Sequence, residues 1–429
     1  MKVAVLGLWH LGSVTAACTA GAGHEVVGWD PDADVVAALA QGRPPVAEPG
    51  LADLVARELA SSRLRVTTEL ASAVAAADIV WVAFDTPVDE DDRADVEYVI
   101  GQGAAALPHV KDGAVILVSS QLPVGSVARL ERAFDSIAAG RRVGFACSPE
   151  NLRLGKAIEV FTRPDRVVIG VGDAAAKGQL LALFEPITDR LEWMSVESAE
   201  MTKHAINAFL ATSVTFINEI ATLCERTGAD AKEVERGLKT ERRIGPHAYL
   251  GPGAAFAGGT LARDVQFLRA IGREVGCETP LMAGVDASNR EHRLWARRHL
   301  QALLGPLTQR TVAVWGLTYK PGTDTLRRST AVELCGWLLE QGAYVRAHDP
   351  AARALPGALA AVKRCATPVE AAMGAEALVV ATEWPEYRRV DVDELAGAMA
   401  GRRVIDANRF LGPALAGDPR FNFVAVGGR

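Results

Sequence analysis

SAEMTKHAINAFLATSVTFINEIATLCERTGADAKEVERGLKTERRIGPHAYLGPGAAFAGGTLARDVQFL, residues 198–268, is the stretch around which the rest of the chain is arranged. Its first part has no Gly or Pro before Gly228 and repeats apolar side chains at helical spacing. Met201, Ala205, Ala208, Phe209 and Thr212 form one stripe, so the segment predicts one long helix with a core-facing side. Lys203 and Asn207 stand four apart and share a helix face, a cation and an amide inside an apolar run that call for a polar partner. The small residues of GPGAAFAGGT follow, and a second helix opens at Leu261-Ala262-Arg263-Asp264. Small residues let a ligand approach the backbone, and the N–H groups at a helix start suit phosphate. The plainer alternative is a buried polar network of Lys203, Asn207 and Asp264 that only ties helices together.

Upstream, KVAVLG, the helical pattern LGSVTAACTAG and EVVGWD read as strand, turn, helix and strand. Asp30 lies where a carboxylate accepts hydrogen bonds from an adenosine ribose. The turn reads Gly7-Leu8-Trp9-His10-Leu11-Gly12, with Trp9 where the middle glycine of a GxGxxG fingerprint lets the backbone approach a pyrophosphate. Gly7 and Gly12 keep the turn and helix-packing roles, and the indole is accommodated if its ring points away. Dinucleotide binding is the expectation; the alternative is a domain of this type that has lost its cofactor. His10 reads as a surface or supporting residue.

Further strand–helix alternation up to about Val196 means a parallel sheet flanked by helices, with ligands beyond the carboxyl ends of its strands. The positions there are Asp85, Thr86, Ser119, Ser120, Gln121, Cys147 and Glu150. Glu150 reads as a site carboxylate or a strand-end cap, and Cys147 as a buried strand thiol rather than a nucleophile. Long helical patterns fill the middle, and a second strand, turn, helix and strand restart at Thr311. Lys320 and Arg327 follow that turn, suited to a diphosphate or to solvated surface.

With these motifs in place, the chain resembles the UDP-glucose/GDP-mannose dehydrogenase family over nearly its whole length. EPGL at Glu48, the Thr86-Pro87 pair, SSQLPVGS against the family's KSTVPVGT, and SPENLRLG against NPEFLREG carry the likeness. So do the loop before Asp264, against GxGFGGSCxPKD, and GLTYKPGTDTLRRS against GLxFKPxTDDxRxSP. The resemblance implies an α/β fold: two Rossmann-like, doubly wound parallel-sheet domains joined by a central all-helical domain, with boundaries 1–197, 198–305 and 306–429. It implies NAD held around Gly7, Trp9, His10, Leu11, Gly12, Asp30, Thr86 and Gln121. A nucleotide sugar, UDP-hexose first, is implied around Tyr249, Gly253, Phe256, Gly258, Lys320 and Arg327, and a homodimer as the assembly.

Lys203, Asn207, Asp264 and Glu150 fall on the family's functional positions, and Thr260 falls where its nucleophilic Cys stands. The family oxidises a sugar C6 alcohol to a carboxylate in two NAD-dependent steps, the second through a thiohemiacetal. A secondary hydroxyl is not acidic enough for that role. Gln121 stands for a Thr and Leu154 for a second Glu. The expectation is therefore a two-electron alcohol–carbonyl oxidoreductase. The alternatives are a Cys-independent four-electron route or a non-catalytic nucleotide-sugar binder.

The 429 residues suffice for two or three full cores, and 49% apolar with 23% charged residues is an ordinary globular balance. A net charge of −6 without a Lys/Arg block argues against nucleic acid. Six separated cysteines, without CxxC or His clusters, point to free thiols in a cytosolic protein and to no metal. The N-terminus reads as folded domain rather than signal peptide, and no membrane span is expected.

Overall fold

A computed structural model of the chain describes residues 1–87, 94–257 and 259–428. They divide into two compact units, Met1–Ile206 and Asn207–Arg429. In the first, apolar runs become β1 (Lys2–Leu6), β2 (Glu25–Trp29), β3 (Leu64–Thr67), β4 (Ile79–Val82), β5 (Val115–Val118), β6 (Gly144–Cys147), β7 (Val167–Val171) and β8 (Leu191–Met194). Their order in the sheet is β3-β2-β1-β4-β5-β6-β7-β8, so the strand order reverses between β1 and β4. Strands β4 and β5 are buried at every position. A parallel sheet covered on both faces has no wet side, which is why IVWV and VILV do not alternate with polar residues. Val3, Val5, Ile79, Trp81, Val115 and Leu117 pack into one layer, and the intervening Ala4, Leu6, Val80, Val82, Ile116 and Val118 into the other.

Three helices of this unit position its carboxyl edge: α1 (His10–Gly21), α2 (Ser126–Asp135) and α3 (Ala157–Thr162). The sheet departs from the all-parallel expectation at one place, because β6 and β7 pair antiparallel. The connection between them holds only the short α3 and starts and ends at the carboxyl edge, so no crossover brings the chain back. That detour lays the segment with Glu150 over the strand ends.

β1 enters α1 through Gly7, whose φ is +89°, and a Cβ there would meet the Phe84 ring at 2.6 Å. A Cβ on Gly12 would lie 1.6 Å from the Gly7 carbonyl oxygen, so only glycine fits either position. Trp9 differs: its φ of −72° suits any L residue, and its ring is half exposed.

The second unit contains β9 (Thr311–Trp315), β10 (Tyr344–His348), β11 (Lys363–Arg364), β12 (Ala377–Val380), β13 (Arg403–Asp406) and β14 (Asn422–Val424), all parallel, in the order β11-β10-β9-β12-β13-β14. Its first turn repeats that of the other sheet. Gly316 has φ +87° and donates to the His348 carbonyl at 2.8 Å, as Gly7 donates to that of Trp29 at 2.8 Å. Asp349 follows β10 as Asp30 follows β2.

Long helices supply the middle: α4 (Val196–Thr227), α5 (Thr260–Glu274) and α6 (Pro280–His292), with α7 (Thr330–Glu340) after β9. The apolar stripe expected to face a core on α4 does not. Ala208 is buried, but Met201, Ala205 and Phe209 are exposed, Phe209 at 69%. The buried face of the helix carries Glu200, Lys203, His204, Asn207 and Asn218 alongside Ala199, Ala208, Ala211, Ile217, Ala221 and Cys224. By length and composition α4 could cross a membrane, with 44% of its most apolar window buried in the fold.

Candidate active site

At the reversal between β1 and β4, the Asp30 carboxylate is buried at the end of β2 and accepts the Leu8 N–H at 2.7 Å and the Asp32 N–H at 2.9 Å. A carboxylate has about four lone-pair sites, so capacity for ribose hydroxyls remains. The capping residue of α1, Trp9, offers no side-chain cap to the first-turn amides. Leu11 and Gly12 are buried in that turn. Its Leu11 N–H donates to Asp85 Oδ2 at 2.9 Å. The glycine cradle, the buried carboxylate and the helix start fit a dinucleotide. Thr86 donates its hydroxyl to the Gln121 carbonyl at 2.8 Å, joining the loops after β4 and β5.

His10 takes a supporting role: its Nε2 lies 3.1 Å from Glu48 Oε2. Glu48 also accepts the Gly155 and Ala157 N–H groups, each at 2.8 Å. Burial pushes this carboxyl up, but the two amides and His10 outweigh it and hold it below the usual range. Glu48 thereby pins the segment that bears Glu150 to the start of α1.

Across the ends of β5 and β6 lies a small cavity lined by Ser119, Gln121, Cys147, Glu150, Glu200 and Lys203. Lys203 is buried and donates to the Glu150 carbonyl at 2.6 Å, with the Glu150 carboxylate at 3.3 Å. Glu150 also accepts the Leu152 N–H at 2.8 Å, the local bond of the cap reading, and in addition pairs with Lys203. Glu200 accepts the Gly125 and Val127 N–H groups at 2.6 and 2.9 Å, capping α2 from α4. Burial raises the Glu200 carboxyl against the pull of those amides. Cys147 is buried, and burial first, then the Glu200 charge, pushes its thiol well above the ordinary value.

In the second unit, Asn207 donates its amide to Asp264 Oδ2 at 2.5 Å, and Asp264 is fully buried. Asn207 lies one helical turn beyond Lys203 on α4. Thr260 is exposed at the first position of α5, after Gly259 at φ +116°. The glycine-rich loop before it is held by side chains that sequence reading missed. Gly253 donates to Asn218 Oδ1 at 3.0 Å, and its carbonyl faces His292 Nε2 at 2.8 Å. Phe256 exchanges bonds with Asn289 at 3.1 and 2.8 Å, and the Ala254 N–H donates to Asn408 at 2.7 Å. A Cβ on Gly253 would fall 2.1 Å from Asn408 Oδ1. Asn218 was within reach of the sequence, on the same face of the helix as Asn207. Asn289, His292 and Asn408 carry no local signal.

Of the other expected contacts, Tyr249 and Arg327 are exposed, Lys320 is half-buried, and Gly258 falls outside the described residues. At the carboxyl ends of β12 and β13 a cleft is lined by Ala254, Ala255, Arg293, Arg297 and the start of α7.

A dinucleotide cradle in one Rossmann-like unit, a buried Lys–Glu pair at its edge, and a second such unit behind a glycine-rich loop define an NAD-dependent dehydrogenase of nucleotide-linked sugars. The chain belongs to the UDP-glucose/GDP-mannose dehydrogenase family. The family's NAD binding domain matches residues 1–188, its central domain 197–291 and its UDP binding domain 313–413. The chain is 35% identical to a UDP-glucose 6-dehydrogenase of Pseudomonas aeruginosa, with 100% of this chain and 97% of that protein covered. A Rhizobium meliloti UDP-glucose 6-dehydrogenase is likewise 35% identical, at 100% and 99% coverage. The UDP-glucose dehydrogenase structure from Pyrobaculum islandicum superposes with a TM-score of 0.87 at 33% identity, covering 100% of this chain and 98% of that one.

Proposed function

We propose that the chain oxidises a UDP-hexose, UDP-glucose first, at its C6 alcohol, and stops after one hydride. The balance is alcohol plus NAD⁺ to aldehyde plus NADH and one proton. NAD, when bound, supplies the hydride acceptor. The Lys203 ammonium, paired with Glu150, stabilises negative charge on the C6 oxygen as the hydride leaves. Asn207, whose amide is committed to Asp264, orients that oxygen with its remaining polar atoms, and Asp264 takes the hydroxyl proton through water. Tyr249, Gly253, Phe256, Gly258, Lys320 and Arg327 bind the nucleotide sugar, and Asp30 with the α1 turn, Thr86 and Gln121 binds NAD.

The observation that carries the single-hydride reading is Thr260. Its hydroxyl stands at the start of α5, and the cavity thiol Cys147 is buried and protonated. Neither group offers the thiolate that a thioester route needs. Counting NADH against sugar consumed tests this: about one NADH per UDP-glucose, with an aldehyde captured by hydroxylamine, is the expected outcome. Two NADH and a uronate sink the reading. The second reading, full oxidation through the aldehyde hydrate, is favoured by the full-length likeness to UDP-glucose 6-dehydrogenases.

The domains are taken as 1–197, 198–305 and 306–429, and the compartment as the cytoplasm on the strength of six free thiols. The protein is a homodimer in this reading, because Met201, Phe209, Phe216 and Leu223 form an exposed apolar stripe on α4 that a second copy would cover. Phe209→Glu is expected to shift the sedimenting species from dimer to monomer. An unchanged sedimentation coefficient would show that the stripe is not the interface.

A further inference from the structure

The α1 start is the anion-binding end of the first sheet, yet this chain already places an anion of its own there. Asp85, three residues past the end of β4 and at the strand-order reversal, accepts the N–H of Leu11 at 2.9 Å. That amide belongs to the first turn, where a dinucleotide pyrophosphate takes its hydrogen bonds. Asp85 is exposed and α1 has no side-chain cap from Trp9, so the carboxylate serves as a borrowed cap from across the switch point. We propose that Asp85 is an intramolecular competitor for the cofactor pyrophosphate, and so sets the affinity and exchange rate of NAD in this protein.

Two costs follow when NAD enters. The bond from Leu11 to Asp85 must be given up, and the displaced carboxylate stays close to two phosphate charges of the same sign. Asp85 lies on an exposed loop, so the contact lowers affinity without closing the site. The Asp30 end of the cofactor is untouched, since its bonds run to Leu8 and Asp32. The competition is therefore confined to ligands that carry the pyrophosphate. A carboxylate that merely stiffened the loop would affect adenosine and ADP-ribose alike.

The proposal rests on NAD being the cofactor, and the test separates the two. Calorimetric titration of the full chain with NAD, ADP-ribose and adenosine would be compared for wild type, Asp85→Asn and Asp85→Ala. The expected result is NAD and ADP-ribose binding tightened about tenfold in Asp85→Ala, less in Asp85→Asn, with adenosine unchanged. The melting temperature of the ligand-free protein should fall by a few degrees in Asp85→Ala, because the helix loses its cap, while the rise on adding NAD grows. ADP-ribose binding that is unchanged or weaker in both variants, with NAD still bound, overturns the proposal alone. NAD failing to bind any form overturns the cofactor assignment and the proposal together.

Discussion

Lys203→Met is expected to lower kcat on UDP-glucose by about a thousandfold, the scale seen when a positioned charge or donor is removed from a developing oxyanion. Methionine keeps the apolar stem and the length of the side chain and removes only the ammonium. Lys203 is buried against Glu150, whose carbonyl lies at 2.6 Å and carboxylate at 3.3 Å, so its charge acts in a poorly screened setting. Glu150 keeps its Leu152 N–H bond and some solvent contact, so the loss of its counter-ion is not expected to unfold the protein. A split between parameters distinguishes a catalytic ammonium from a structural strut. In the first case kcat falls while NAD and UDP-glucose bind as before, and a small alkylammonium restores part of the rate to Lys203→Ala. Equal losses in binding and rate, with no rescue, would assign Lys203 to holding the Glu150 segment in place.

The same residue shows how much of this site was legible beforehand. Periodicity found α4 and put Lys203 and Asn207 on one face, but it read the Met201–Phe209 stripe as the core side. Polarity misled because the inward face of this helix carries polar side chains among its small apolar ones: buried Glu200, Lys203, His204, Asn207 and Asn218 are offset by specific partners such as the Leu122 carbonyl, 2.9 Å from His204. The Rossmann turn was legible because Gly7 and Gly12 are fixed by steric limits that act within a few residues. Glu48, Asp85 and Asn408 were not legible as partners. Each acts on backbone far away in sequence: Glu48 on Ala157, Asp85 on Leu11, Asn408 on Ala254. The reversed β7 was missed for a related reason, since nothing local marks a connection that stays at one edge of a sheet.

Thr260→Cys is expected to change what the protein makes. The residue opens α5 with its side chain exposed, following Gly259, which supplies no side-chain cap. A thiol at a helix start sits at the positive end of the helix dipole, which lowers its pKa and raises the thiolate fraction near neutral pH. Cysteine is close to threonine in volume, so the substitution asks little of the packing around an exposed site. A thiolate there adds to the C6 aldehyde; the adduct loses hydride to a second NAD⁺, and water hydrolyses the thioester to the carboxylate and regenerates the thiol. The variant should therefore yield about two NADH per UDP-glucose and a uronate, where the wild type yields about one and an aldehyde. Thr260→Ala should stay within about threefold of wild-type rate, since the hydroxyl has no covalent task. A single NADH from Thr260→Cys, despite a thiol that alkylates readily, would mean that the aldehyde does not reach this residue. Two NADH from both wild type and Thr260→Ala would mean that the second oxidation needs no side-chain nucleophile at all.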